Sequence, residues 1–299
     1  MYKVFSHNDL DGYSINVLCR FYNIKVDCKN INNKLVDEEL MSFFKSSEHY
    51  KYEKVFLCDV YPSEEVAKYI NDNINNFILI DHHETGKILN KYSWAQITSE
   101  LNGRPTCATE LFYEYLKNNG KAVNTELMDT YVESIRLFDT GEYMLKNYSK
   151  KYYPEELSIL FFLYFRNYWK HMLQNLKKGY ILSFGDIDVA SNMLNKISMV
   201  SKQKQKELFF IDFEGYKTGV VFLEESLYLS RILTDAKELY PEIELFMFIH
   251  VPTSVSLRSF GKINVSLIAQ KYGGGGHEKA AGFIPDSKLL SKIIEEQKK

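Results

Sequence analysis

The sequence predicts an α/β protein in two parts: an N-terminal domain on a parallel sheet with helices on both faces, then a helical linker and a smaller mixed α/β C-terminal domain. Three observations carry this prediction. Apolar runs at Tyr2–Ser6, Val55–Cys58 and Phe77–Ile80 each stop at a polar cluster, and helical patterns lie between them. That alternation is the signature of a parallel sheet covered on both sides. The 299 residues exceed one typical core. Finally, a polar stretch around Lys202–Lys206 separates a helical, aromatic-rich region from a second set of strands. The expected domains are 1–190 for the first unit, 191–212 for the linker and 213–299 for the second unit.

In chain order, Tyr2–Ser6 is read as a strand ending in His7-Asn8-Asp9-Leu10-Asp11-Gly12. Ile15, Leu18, Cys19 and Tyr22 then share one helical face. Val55–Cys58 stops at Asp59, and Pro62-Ser63-Glu64-Glu65 reads as a helix start. Phe77–Ile80 stops at Asp81-His82-His83. Thr106–Leu116 and Glu126–Leu137 read as helices, the second leading into Asp139, and Glu155 to about Phe210 is mostly helical. Beyond it, Lys217–Leu223, Leu245–Val251 and Ser254–Ser259 read as strands. Helices are expected at Ser226–Leu239 and Asn264–Tyr272, and Ala280–Ile284 is a small-residue strand. Ligands bind beyond the carboxyl ends of the strands in such parallel sheets, so the three polar clusters of the first unit should converge.

The composition, 45% hydrophobic and 25% charged, is that of a globular protein. With 37 basic against 39 acidic residues the formal charge is -2. That balance gives no general attraction to long duplex nucleic acid and favours short ligands held at a local site. Cys19, Cys28, Cys58 and Cys107 form no C-x-x-C pair and read as buried free thiols of a reducing compartment. The N-terminus has no signal-peptide pattern and no run reaches membrane-span length, so a cytoplasmic protein with no membrane partner is expected.

The chemistry is carried by the polar strand ends taken together. A lone aspartate at such a place is most often a helix cap. His7-x-Asp9-x-Asp11 is a stronger signal, since alternate residues of an extended segment point the same way, and Asp81-His82-His83 adds imidazoles. Gathering these groups with Asp59 and Asp139 costs several kcal/mol in repulsion and desolvation unless cations neutralise them. Carboxylate with imidazole and no thiolate suits manganese, with magnesium or another divalent ion also suitable. The donors suffice for two ions, the usual apparatus for phosphate-ester hydrolysis. Neither His83-Glu84 nor His277-Glu278 completes a zinc-protease motif, because Lys87 and Ala281 stand where the second histidine would fall.

Gly273-Gly274-Gly275-Gly276-His277 is the second signal. Read alone it is as well a flexible linker. Lying between a helix and a strand inside one domain, it reads instead as a phosphate-gripping loop of bare N–H groups followed by an imidazole. Arg258, on a strand upstream, suits a phosphate fork, though a surface salt bridge is the plainer role. Phe260 and Tyr272 offer rings to a base. With 20 Phe and 22 Tyr in the chain, packing is the simpler assignment for them and for the aromatic cluster between Tyr152 and Trp169.

In this order the motifs resemble the DHH phosphoesterase family with its C-terminal DHH-associated domain, over nearly the whole chain. Among its members the pattern is most similar to the small oligoribonuclease (nanoRNase) type; a single residue between His7 and Asp9 resembles that branch. The resemblance implies one ion on His7, Asp9 and Asp59, and another on Asp11, Asp59, His82 and Asp139. It also implies His83 as a contact to the scissile phosphate, supported by Asp81. Arg258, Gly274, Gly275, Gly276 and His277 are implied to hold the nucleotide end. The function so implied is a two-metal phosphodiesterase cutting short oligoribonucleotides to 5′-mononucleotides, with the active site between the domains. Homodimers are common among the family's small members. The rivals are a cyclic-dinucleotide or phosphoadenosine phosphohydrolase and, outside enzymes, a nucleotide-binding regulatory protein.

Overall fold

The computed structural model describes residues 1–145, 148–250, 254–276 and 278–297. The chain divides into two compact units, Met1–Ser191 and Asn192–Lys299. In the first, β1 (Tyr2–His7) runs into α1 (Leu10–Phe21), β2 (Val26–Ile31), α2 (Val36–Lys45), β3 (Lys54–Cys58), α3 (Glu64–Asn73), β4 (Phe77–Asp81) and β5 (Ala95–Ile97). A short hairpin of β6 (Glu100–Leu101) and β7 (Arg104–Pro105) leads to α4 (Ala108–Asn118), α5 (Glu126–Asp139), α6 (Pro154–Tyr164) and α7 (Tyr168–Lys177), and α8 (Phe184–Glu207) begins in this unit and ends in the second. Strands β1 to β5 pair in parallel in the order β2-β1-β3-β4-β5. The order reverses between β1 and β3, and in open α/β sheets that reversal opens a crevice beyond the strand ends.

The sheet is buried on both sides. One face, with Val4, Phe56 and Ile80, packs on Ile15, Leu18, Phe112, Tyr131 and Tyr168 from α1, α4, α5 and α7. The other, with Phe5, Leu57 and Leu79, packs on Leu40, Phe44, Ala67 and Ile70 from α2 and α3. Successive strand residues therefore serve opposite cores, which is why β3 and β4 read as unbroken apolar runs. Helix starts are chemically marked: Asp9 caps α1 by accepting the Gly12 N–H at 2.9 Å, and Ser63 caps α3 with Glu64 and Glu65 in its first turn.

In the second unit, β8 (Phe209–Phe213) and β9 (Tyr216–Leu223) precede α9 (Leu229–Leu239), β10 (Leu245–His250), β11 (Ser254–Ser259), α10 (Val265–Lys271), β12 (Gly275–Gly276), β13 (Ala280–Phe283) and α11 (Ser287–Gln297). The sheet is mixed, in the order β12-β13-β11-β10-β9-β8, with only β9 and β10 paired in parallel. The Lys202–Lys206 stretch is the last part of α8. Its polarity marks a largely solvated helix with Lys204 tucked in against Glu207 and Glu224. The helical reading of residues up to Phe210 runs slightly too far, since β8 begins at Phe209.

The cysteines are free, with Cys19, Cys58 and Cys107 buried, and burial pushes those three thiols well above their ordinary range. Among the described residues no helix is long and apolar enough to cross a membrane. The aromatic cluster of α6 and α7 divides: Tyr168 is fully buried and bonds the Tyr131 hydroxyl at 3.2 Å, whereas Phe162 and Phe165 are exposed.

His49 is 5% exposed against Phe44, and its Nδ1 has no hydrogen-bond partner. Burial holds its pKa below the ordinary 6.5. The unfolded chain therefore takes up this proton first, so the contribution is present above about pH 6.5 and is lost as pH falls below it. Thermal melts from pH 7.5 to 5.5 should show a steeper acid loss of stability in the wild type than in His49→Gln. Equal slopes would contradict this assignment.

Candidate metal centre

The site is built by the strand ends at the β1/β3 reversal. His7 closes β1, Asp59 follows β3, and Asp81 closes β4 with His82 and His83 next in the chain. Asp139 is the last residue of α5, so that helix runs two residues beyond the expected Leu137. The expectation of an extended His7-x-Asp9-x-Asp11 segment is overturned. The chain turns at Asp9 into α1, and Asp11 sits in the first helical turn, 2% exposed. The three side chains still converge because the turn is tight. A Cβ on Gly12 would lie 2.2 Å from the His7 carbonyl oxygen, so only glycine allows the helix to start so close to the strand. Ser6 Oγ donates to the Gly12 carbonyl, and Asn30 Nδ2 donates to Ser6 Oγ and the His7 carbonyl, holding that corner.

Three overlapping groups of donors result: His7, Asp9 and Asp59; Asp11, His82 and Asp139; and Asp59, Asp81, His82 and His83. Within each, one donor atom per residue lies within 4.8 Å of the others. Asp59 joins the sets, since His7 Nδ1 is 3.8 Å from its Oδ2 and His82 Nε2 is 3.3 Å from its Oδ1. His82 Nε2 is also 3.5 Å from Asp139 Oδ2. Asp59 is 1% exposed and adopts φ of +63°, the left-handed region that residues other than glycine enter at a cost, aspartate less than most. Asp81, fully buried, bonds His83 Nδ1 at 2.7 Å and so fixes the tautomer that presents Nε2.

The electrostatics are those of excess negative charge. Burial first, then Asp9, Asp11, Asp139 and Asp81, raise Asp59 well above the carboxylate range. Asp139 is pushed up to about 8 by burial and Asp11, only partly relieved by His82. Burial alone would depress His82, but the surrounding carboxylates, Asp139 foremost, raise it. Asp59 Oδ2, Asp81 Oδ2, His82 Nε2 and Asp139 Oδ2 are buried without a hydrogen-bond partner. Buried polar atoms are rarely left so. Hard oxygen donors with imidazole nitrogen, orphaned and facing one another, fit divalent cations.

In the second unit the glycine run is ordered backbone. A Cβ on Gly274 would lie 2.1 Å from the Gly282 carbonyl oxygen, and Gly276 has φ of +139° against Ala280 and Ala281. Gly275 and Gly276 pair with Gly282 and Ala281. Gly275 alone of these three would carry a Cβ into open space. His277 lies outside the described residues. Arg258 pairs with Ala280 across the sheet; burial lowers its pKa, and among the described residues no carboxylate pairs with it. Tyr272 stacks between Phe213 and Phe283, and Phe260 packs edge-on to Phe246, so both rings serve packing.

No protein-family model matches the chain. It is 29% identical over 308 aligned residues to oligoribonuclease NrnB of Bacillus subtilis, covering 99% of this chain and 76% of that protein. It is 23% identical to a 3′,5′-cyclic-nucleotide phosphodiesterase of Helicobacter pylori, over 93% of this chain and 90% of that one. Among solved structures, the pGpG-specific phosphodiesterase PggH from Vibrio shares the fold with a TM-score of 0.62 and 14% identity, over 99% and 97% of the two chains.

Relief of repulsion gives a direct prediction. Asp59→Asn should stabilise the metal-free protein by about 1–2 kcal/mol while abolishing the rise in melting temperature on adding Mn2+. A variant less stable than wild type, or still stabilised by Mn2+, would contradict the charge-excess reading.

Proposed function

We propose that this chain, which resembles the DHH phosphoesterases over its whole length, is a metal-dependent phosphodiesterase acting on short oligonucleotides. The observation that carries the reading is that Asp59 is grouped with His7 and Asp9 and also lies 3.3 Å from His82 Nε2, which is in turn grouped with Asp11 and Asp139. In this reading His7, Asp9 and Asp59 hold one divalent ion and Asp11, Asp59, His82 and Asp139 a second, with Asp59 shared. Manganese suits the mixed oxygen and nitrogen donors best. Bound ions supply an activated water and neutralise charge on the phosphate.

The protein's own groups do the rest. Asp81 accepts the Nδ1–H of His83 and orients the ring; with a proton also on Nε2, that N–H donates to a non-bridging phosphate oxygen and stabilises charge as it develops there. Asn30 donates to the His7 carbonyl and so fixes the main chain that carries its ring. In the second unit, Arg258, the exposed Gly275–Gly276 backbone and His277 grip the anionic end of the substrate; the Gly274 amide, expected to share that role, is instead taken by the Ala269 carbonyl at 2.9 Å. We assign short linear oligoribonucleotides as substrate and 5′-mononucleotides as product, in keeping with the oligoribonuclease relative. The cyclic-nucleotide relative favours a second reading, hydrolysis of a cyclic nucleotide at the same centre.

A Mn2+-dependent time course against di-, tri- and pentaribonucleotides, a 3′,5′-cyclic mononucleotide, a cyclic dinucleotide and a phosphoadenosine separates these. Linear substrates should be consumed fastest, and Asp59→Ala should lower kcat/KM by at least about 10²–10³-fold. Normal turnover by that variant would sink the proposal, and preference for a cyclic substrate would establish the second reading. Because a Cβ fits at Gly275, Gly275→Ala should fold normally and raise KM several-fold with kcat little changed, the pattern of lost substrate binding. An unchanged KM would remove the loop from the binding site.

A further inference from the structure

Helix α4 has no cap of its own, because its N-cap residue Cys107 makes no side-chain hydrogen bond. The acceptor comes from α1: Asp11 Oδ2 takes the Ala108 N–H at 2.7 Å and Asp11 Oδ1 takes the Thr109 N–H at 2.8 Å. The Thr109 hydroxyl donates in turn to the main-chain carbonyl of Asp11 at 2.7 Å, tying the first turns of α1 and α4 together. Asp11 is 2% exposed and Thr109 fully buried. The same carboxylate is one of the donors grouped with His82 and Asp139. A carboxylate has about four lone-pair directions, so with one N–H on each oxygen its plane is fixed and each oxygen keeps a lone pair.

We infer that Thr109 is a positioning residue of the metal centre: it acts through Asp11, aiming that carboxylate at the ion shared with His82 and Asp139. This rests on the two-ion reading above. The hydroxyl is the informative group, because a purely packing role at this fully buried position would be filled equally by valine, which has the same shape and no donor. Groups that orient a metal ligand from behind commonly contribute 10–100-fold in metal affinity. The effect should fall on one ion only, since His7 and Asp9 have their own supports in Asn30 and the Gly12 amide.

The test is a calorimetric Mn2+ titration of the full-length wild type, Thr109→Val and Thr109→Ser, with thermal melts of each metal-free protein. Wild type should bind two equivalents. Thr109→Val should weaken one of them about tenfold and leave the other unchanged, and Thr109→Ser should restore it. Thr109→Ala serves the same comparison if valine is not accommodated. A variant that melts lower but binds both ions as wild type does would show a purely structural role and overturn the inference. A wild type that binds no Mn2+ would remove the two-ion reading and this inference with it, whereas two intact wild-type sites with no change in Thr109→Val would remove this inference alone.

Discussion

Everything in the first unit is arranged around one unfavourable fact, the burial of several carboxylates within a few ångströms of Asp59. Left to themselves these groups repel one another and lose their hydration, and the raised pKa values of Asp59 and Asp139 measure that conflict. The rest of the unit opposes the tendency to splay apart. Two dry cores clamp the sheet from both faces. Gly12 lets α1 begin against β1, and Asp11 is gripped by the first amides of α4. The left-handed backbone at Asp59 belongs to the same arrangement, strain held in place by a well-packed surround at the point where the donor groups meet.

Much of this was legible in the sequence. Strands β1, β3 and β4 are unbroken apolar runs because both faces are buried, and each ends at a residue that the structure brings into the cluster. What was not legible has physical reasons. Strand β2, with the sequence VDCKNI, lies at the sheet edge and carries polar side chains that work: Asp27 pairs with Lys3, and Asn30 holds the His7 corner. Strand β5 is three residues long, too short for any periodicity. The helical placement of Asp11 was missed because alternation in a His-x-Asp-x-Asp motif mimics a strand and masks the local cap, in which Asp9 accepts the Gly12 N–H three residues on and Gly12 lies against the His7 carbonyl. Thr109 carried no local signal at all, since its partner stands 98 positions away in the sequence.

The glycine run shows how one stretch can satisfy two demands. Gly274 and Gly276 are glycine because neighbouring backbone leaves no room or because φ is positive, which alone accounts for their presence. Gly275 is under no such constraint, since a Cβ there would enter open space, and the proposed substrate contact is what would require it. Arg258, half-buried with no carboxylate partner among the described residues, sits two strands over in the same sheet, across β13, and on the proposed reading supplies the charge such a contact would need. On the proposed reading a fold requirement and a binding requirement share this run.

The central claim is that the clustered carboxylates are held together for two ions that share Asp59. Anomalous diffraction at the manganese edge, from crystals grown with Mn2+, tests it most directly. The account predicts two peaks about 3.5–4 Å apart, one beside His7 and Asp9, the other beside Asp11, His82 and Asp139, with the Asp59 carboxylate between them. No peak at the strand ends, or a single ion that leaves Asp59 unligated, would contradict it.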